Sequence, residues 1–491
     1  MSKNYLSKSF YFTFLIALIF SLLSTVDFEK ISVAFALKPI NFFSDIQTDY
    51  QLADVDKSVK LLEKDSVSVL TDSTSSALKS GIKTDSLLRN DYSEAAIAKY
   101  NLPDSTNTDS PDNIQCIHNF NNSQAYLDRF IDKLSSAKSG RSRVRIAWYG
   151  DSFTDADLVV GDLRDTLQSV YGGNGVGFMP ITHEAPAFRR SVIHSFGGWS
   201  TSSIVARNGK NSFGINGHAY SPDSANYLLF AGSKRFKHTR KFDIFRLFYS
   251  ATHDVQARVA LNDTLRKKIV LTKSSTPEMY SMCLDDIRKV KVNIPNTGGI
   301  VFYGASLEDS TGIYIDNFSI KGNSGIGLMS IPNKNLIKFD SLLNYDLIVL
   351  QFGLNAINSE TRNYTSYMTG MTRLLNKFKK TFPDTPILLV SVSDRSERRQ
   401  GKYITMESVK GLVAAQKKFA CDNELLFWDM YQAMGGENSM AEFVAAKPPL
   451  ANKDYMHLNF QGGRKIGLKL ARSMIYEVKK YQERRQSLVS N

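Results

Sequence analysis

The chain has 491 residues, 42% hydrophobic and 11% aromatic, enough to bury a large core and to hold more than one folded unit, which excludes a wholly disordered protein. Its 61 basic and 48 acidic residues leave a net charge of +13, which suits an anionic partner such as a cell-wall polymer or a membrane surface, although a solvated basic surface is the simpler reading. Nucleic acid is disfavoured as a partner, because the Lys and Arg are scattered and a run such as Arg395 to Arg399 is broken by Ser396 and Glu397.

At the amino end, Lys3 and Lys8 precede an uncharged, mostly apolar run from Phe10 to Leu23, the pattern of a secretory signal. Its 14 residues fall short of the roughly 20 that span a bilayer. The small-x-small triplet Ala34-Phe35-Ala36 lies beyond Asp27, Glu29 and Lys30, so residues 1–36 are read as a signal peptide or an uncleaved anchor, with export expected either way. Residues 37–113 are rich in Ser, Thr, Asp and Lys and read as a linker with weak helical stretches.

The first clear helix spans Ser123 to Ser136, where Ala125, Leu127, Phe130, Ile131 and Leu134 recur at helical spacing. It leads into RVRIAWYGDSF, in which Val144, Ile146 and Trp148 alternate with Arg143, Arg145 and Ala147 in a short strand that stops at Gly150. Gly150 tolerates a sharp turn there, and Ser152 is left at the carboxyl edge of a sheet, where α/β proteins place their chemistry. Leu158 to Val170 is a second helix, followed by YGGNGVGF, read as a surface turn near the mouth of the site. That glycine cluster lacks the Lys-Ser/Thr ending of a phosphate loop and follows a helix instead of a strand.

Over residues 180–320 the sequence becomes a series of β-rich runs separated by turn signals, ending in GIVFYGASL and GIYIDNFSI, and predicts an inserted β-sandwich. Trp199, Tyr220 and Tyr249 could stack on sugar rings, but core positions suit them better. From Ser341 the α/β rhythm returns. LIVLQFGLN and PILLVSVSD are apolar strands, Thr365 to Phe382 and Glu407 to Ala420 are helices, Leu425 to Met430 is a short strand, and Gly462 to Arg485 is a long basic helix. Residues 114–179 and 321–491 thus form an α/β unit with a parallel sheet covered on both faces.

Cys116, Cys283 and Cys421 are widely spaced and odd in number, which permits one disulfide at most and equally suits three buried thiols. The 7 histidines show no metal-ligand spacing, so neither a metal nor another cofactor is expected.

Nucleophilic catalysis by a serine needs a base within hydrogen-bond reach, a group to orient that base, and donors for the oxyanion. Ser152 is the candidate nucleophile. His457, three residues after Asp454 in a polar segment, is the candidate base with Asp454 as its orienting carboxylate. Asn355 follows a buried strand and can donate an amide to the oxyanion, and Gly325 can add a backbone N–H.

These residues carry a resemblance. Gly150-Asp151-Ser152, Gly322-Asn323-Ser324-Gly325, Gly353-Leu354-Asn355 and Asp454-Tyr455-Met456-His457 resemble the four blocks of the SGNH (GDSL) hydrolase superfamily. The resemblance implies a flavodoxin-like three-layer α/β/α sandwich, a catalytic Ser152, Asp454 and His457, and an oxyanion hole of Ser152, Gly325 and Asn355. Two departures stand out. Ala356 follows the block asparagine where many relatives have Asp, and the β-rich insertion resembles the branch of peptidoglycan O-acetylesterases with a carbohydrate-binding-like domain inside the catalytic one. What this implies is an exported esterase releasing O-acetyl groups from a glycan, peptidoglycan above others. An acetyltransferase using the same acyl-enzyme, and an envelope glycan-binding protein with a silent hydrolase domain, remain as alternatives.

Overall fold

A computed structural model describes residues 91–99, 114–206, 212–295 and 298–489. The apolar run Phe10–Leu23, the triplet Ala34–Ala36 and most of the proposed linker lie outside the described residues. The part of that linker that is described, 91–99, is docked. Helix α1 (Glu94–Ala98) is capped by the Ser93 hydroxyl, Tyr92 and Ile97 are buried in the core, and the Tyr92 hydroxyl donates to Asp422 at 3.0 Å.

The central sheet is entered through β1 (His118–Asn119) and β2 (Arg143–Gly150), separated by α2 (Ala125–Lys138), and β2 leads on to α3 (Val160–Tyr171). The chain then leaves this sheet for nine antiparallel strands: β3 (Gly177–Met179), β4 (Val192–Ser203), β5 (His218–Gly232), β6 (Phe242–Ala251), β7 (Val255–Leu261), β8 (Leu265–Leu271), β9 (Ser274–Ile287), β10 (Lys289–Asn293) and β11 (Ile300–Glu308). It returns through β12 (Gly312–Asn317), α4 (Asn333–Leu343), β13 (Leu347–Gln351), α5 (Thr365–Thr381), β14 (Ile387–Val390), the hairpin β15 (Ser396–Arg399) and β16 (Lys402–Thr405), α6 (Glu407–Asp422), β17 (Leu426–Trp428), α7 (Met430–Met434), α8 (Ser439–Ala445) and α9 (Phe460–Val489).

The central sheet runs β1-β17-β14-β13-β2-β12, parallel except for β1. Helices α2, α3 and α9 pack together on one side, and α4, α5 and α6 on the other. Strands covered on both faces must be apolar throughout, and β13 and β14 are buried at every position. Strand β2 is buried from Val144 onward, including Arg145, which alternation alone would turn to solvent.

GIYIDN, read as the last strand of the insertion, is β12, and it pairs in parallel with β2 from Gly312↔Arg143 to Asn317↔Trp148. Gly177–Met179, placed before the insertion, instead pairs with β11. The antiparallel region therefore runs from β3 to β11. The glycine cluster 172–177 is also displaced from its expected position. Ile313 donates to the Gly172 carbonyl at 3.0 Å beside the start of β12, so the cluster lies at the amino edge of the sheet, opposite Ser152. Glycine is required there, since Gly175 has φ +100° and an added Cβ would lie 2.1 Å from the Leu307 carbonyl oxygen.

The antiparallel region folds over itself because β5 pairs with β11 at Tyr220 and with β10 at Leu228–Ala231. Phe245, Leu247 and Tyr249 from β6 share a core with Ala257, Val259 and Leu261 from β7. Tyr220 and Tyr249 are buried, as expected of core residues; Trp199 is half-buried and donates its indole N–H to the Tyr227 carbonyl at 2.8 Å. The opposite face of β6 and β11 packs on the α/β unit, where Phe248 and Tyr303 each meet Phe339 at 5.7 Å between ring centroids.

A buried charge cluster crosses the same junction. Arg145 on β2 forms two bonds to Asp316 on β12, at 2.7 and 2.9 Å, and pairs with Glu308 at the end of β11. Glu308 also meets Arg143 at 2.6 Å and Arg246 at 2.9 Å. Burial pushes the Glu308 carboxyl up, but the three guanidinium groups outweigh it and hold the group below the usual carboxylate range. No helix among the described residues is long and apolar enough to cross a membrane. Cys116 is buried and Cys421 half-buried, but Cys283 is exposed, against the expectation of three buried thiols.

Candidate active site

Ser152 stands in the turn after β2. An added Cβ on Gly150 would lie 2.3 Å from the Thr154 hydroxyl oxygen, so only glycine lets the strand end against this turn. Asp151 is fully buried, and its Oδ1 accepts the Phe153 N–H at 3.0 Å, which fixes the turn around the serine. Its Oδ2 has no hydrogen-bond partner among the described residues. Burial pushes this carboxyl up to about 6, against the opposing pull of the Phe153 N–H and nearby His457.

Beyond the serine, Ala156 and Asp157 hold left-handed backbone, with φ of 52° and 64°. Such strain persists only where surroundings over-determine it, and here they do. The Asp157 carboxylate meets Arg164 at 2.5 Å and Arg189 at 2.6 Å, and it accepts from Ser191 and Asn317 at 2.5 and 3.1 Å. Burial would raise its carboxyl, but the two arginines hold it far below the usual range. Arg189 and Ser191 lie just before and at the entry to β4, so the antiparallel region braces the serine loop. None of this bracing was legible in the sequence.

The turn 454–457 supplies the partner groups. Asp454 Oδ1 accepts the N–H groups of Met456 and His457, both at 3.0 Å, and Tyr455 takes φ 58° to close the turn. Asp454 Oδ2 lies 2.8 Å from His457 Nδ1, and His457 Nε2 lies 3.0 Å from Ser152 Oγ. A carboxylate only accepts, so Nδ1 carries the proton and Nε2 is left free to accept from the serine hydroxyl. Burial raises the Asp454 carboxyl, but the bonds from the His457 ring and the two N–H groups outweigh it and keep the group ionised. The hairpin β15–β16 supports this turn. Tyr403 stacks on Tyr455 at 3.5 Å between centroids, and Ser396 donates its N–H to the Tyr455 carbonyl at 3.0 Å.

Asn355 lies in a short 3₁₀ turn after β13, entered through Gly353. Its Nδ2 donates one hydrogen to the Asn323 carbonyl at 3.2 Å, which ties it to the glycine block and leaves its second hydrogen available. Gly325 differs from expectation. Its N–H donates to Asn323 Oδ1 at 2.9 Å, so in this conformation it is occupied by a local turn. The link residue Asn323, nearly fully buried, was missed as a site residue. An Asn two residues before a glycine is the signature of such a turn, so its signal was present. Ala356 is buried, where many members of the superfamily it resembles carry Asp.

The structure thus brings Ser152, His457 and Asp454 into one hydrogen-bonded line and joins Asn355 to the Gly325 loop through Asn323. Such a line can activate a hydroxyl as a nucleophile. Among the described residues, no group of His, Cys, Asp and Glu is placed to hold a metal ion.

No protein-family model matches the sequence, and no curated protein matches it. Solved structures do match. A structure of a peptidoglycan O-acetylesterase is similar over 74% of this chain and 99% of its own, with a TM-score of 0.63 and 18% identity. An acetyl xylan esterase matches 32% of this chain and 79% of its own at 19% identity, and a lipase/acylhydrolase from Enterococcus faecalis 33% and 76% at 17%. The TM-scores of those two are 0.26 and 0.25. The chain has the fold of the SGNH hydrolases, a flavodoxin-like α/β/α sandwich interrupted by an antiparallel β-sandwich.

Proposed function

We propose that this chain is an exported serine esterase that removes O-acetyl groups from a glycan, peptidoglycan above others. The observation that carries the reading is the line Ser152–His457–Asp454, with separations of 3.0 and 2.8 Å. Ser152 Oγ attacks the acetyl carbonyl carbon while its proton passes to His457 Nε2. Asp454, ionised beside Nδ1, stabilises the resulting imidazolium. The oxyanion accepts from the Ser152 N–H and the uncommitted Asn355 Nδ2 hydrogen; Gly325 joins the hole once its N–H turns away from Asn323. His457 returns the proton to the departing sugar oxygen. Water then attacks the acetyl-serine with His457 as base, acetate leaves, and Ser152 recovers its proton.

The choice of substrate is supported by the likeness to the peptidoglycan O-acetylesterase structure, which spans 99% of that chain. The antiparallel region, in this reading, is a carbohydrate-binding-like module that presents the polymer. Export is supported by the basic and then apolar amino end. The test is acetate release from O-acetylated peptidoglycan and from acetyl xylan, with acetylated acceptor sugars assayed alongside. Faster release from peptidoglycan, abolished in folded Ser152→Ala and His457→Ala, is expected. Substantial turnover in either variant rules out the triad, and acetylated acceptor in place of acetate rules out a hydrolase.

A further inference from the structure

Among the described residues, a cleft lies outside the Ser152–His457–Asp454 line. It has a volume of about 500 Å³ and is lined by Arg190, Arg235, Phe460, Arg464 and Lys465. Its walls come from both parts of the protein: Arg190 precedes β4 and Arg235 follows β5, whereas Phe460, Arg464 and Lys465 form the first turns of α9. The Arg190 guanidinium lies 4.3 Å over the Phe460 ring, and Phe188, 63% exposed, stacks beside that ring at 6.5 Å.

Charge in this cleft is unbalanced. Among the described residues Asp162 faces the cluster, 3.8 Å from Arg464, and Arg235, Arg190 and neighbouring Asp165 also act on it. Partial burial, and after it the like charge of Arg235, pull the Arg190 guanidinium below its ordinary range. Three arginines gathered at Asp162, with Lys465 on the same wall, repel one another and leave the cleft net positive, and the positive end of α9 adds to the potential. A bound anion relieves both. Arginines beside an aromatic face also match a sugar ring that carries a carboxylate or phosphate.

The cleft stands on the rim of the site. Phe460 follows His457 by three residues. Helix α9 approaches the serine loop so closely that an added Cβ on Gly463 would lie 2.0 Å from the Leu158 carbonyl oxygen.

We propose that this cleft is a subsite for an anionic group, carboxylate or phosphate, on the glycan polymer whose acyl group reaches Ser152. That the polymer's acyl group reaches Ser152 rests on the esterase reading; anion binding does not. The experiment uses the full chain carrying Ser152→Ala and measures binding of polygalacturonate, poly(glycerol phosphate) and neutral chitohexaose at low and high salt. Tighter, salt-sensitive binding of one or both polyanions is expected, and whichever binds names the anion. Arg235→Gln, at an exposed position, should weaken that binding about 3-fold, and Arg190→Gln with Arg464→Gln about 10-fold, with chitohexaose unaffected. In the parent enzyme the same substitutions should leave turnover of p-nitrophenyl acetate unchanged. Equal affinity for neutral and anionic polymers, or affinity unchanged in folded variants, overturns the subsite. Charge-dependent binding without acetate release from any glycan overturns the esterase reading and leaves the subsite standing.

Discussion

Replacing Asp454 with Asn tests the orienting carboxylate through one proton. In the parent, Oδ1 is held by two backbone N–H groups at 3.0 Å and Oδ2 by His457 Nδ1 at 2.8 Å. Asparagine has a single oxygen. Two backbone donors, worth about 1 kcal/mol each, hold that oxygen in the Oδ1 position, so the amide NH₂ faces Nδ1. An NH₂ only donates, which forces Nδ1 to accept and moves the ring proton to Nε2. Nε2 can then no longer take the proton of Ser152. The loss expected from a wrong tautomer with intact geometry is about 10⁴ in kcat, or about 5.5 kcal/mol. Asp454 is 38% exposed, and water competing for the ring brings the expectation to 10³–10⁴, roughly 4–5.5 kcal/mol. The assay is turnover of p-nitrophenyl acetate at pH 7, with thermal unfolding to show an unchanged fold. A folded Asp454→Asn enzyme retaining more than about a tenth of parental kcat would mean that Asp454 does not set the His457 tautomer, because a tautomer switch cannot cost so little.

Three further outcomes follow from the same geometry. Asn355→Ala removes one oxyanion donor and should lower kcat by about 10²–10³ with KM little changed, measured on the same ester. Glu308→Gln removes the carboxylate that three arginines share and should cost about 3–5 kcal/mol in urea unfolding, with the antiparallel and α/β parts losing structure together because the cluster joins β2, β6, β11 and β12. Asp151 makes the stability depend on pH. Its folded pKa of about 6 stands above the ordinary 3.8, so the folded state disfavours the ionised form, and this group's contribution to stability declines as pH rises from about 4 to about 6. The span corresponds to about 3 kcal/mol, and Asp151→Asn should remove that slope from the difference between unfolding free energies at pH 4 and pH 7.

The α/β rhythm and the candidate grouping of Ser152, Asp454 and His457 are legible in the sequence for local reasons. The helix at Thr365, the strands around Leu347 and Ile387 and the Asp454–His457 turn each declare themselves within a few residues. Strand β12 was misplaced because its GIYIDN pattern is equally good in a sandwich or beside β2; only a partner 169 residues earlier, Arg143 for Gly312, decides between them. Nothing local explains a buried Arg145 either, since its partners Glu308 and Asp316 are far away in sequence. The direction of the Gly325 N–H is a backbone torsion, which composition does not encode, although Asn323 hinted at the turn that captures it.

All of the proposed chemistry depends on Ser152 being a nucleophile activated by His457. Labelling with a serine-directed fluorophosphonate, followed by peptide mass mapping, addresses it most directly. One adduct per chain is expected, on the peptide containing Ser152, with labelling lost in folded His457→Ala. An adduct on another residue, or a folded parent protein that takes no label, would contradict it.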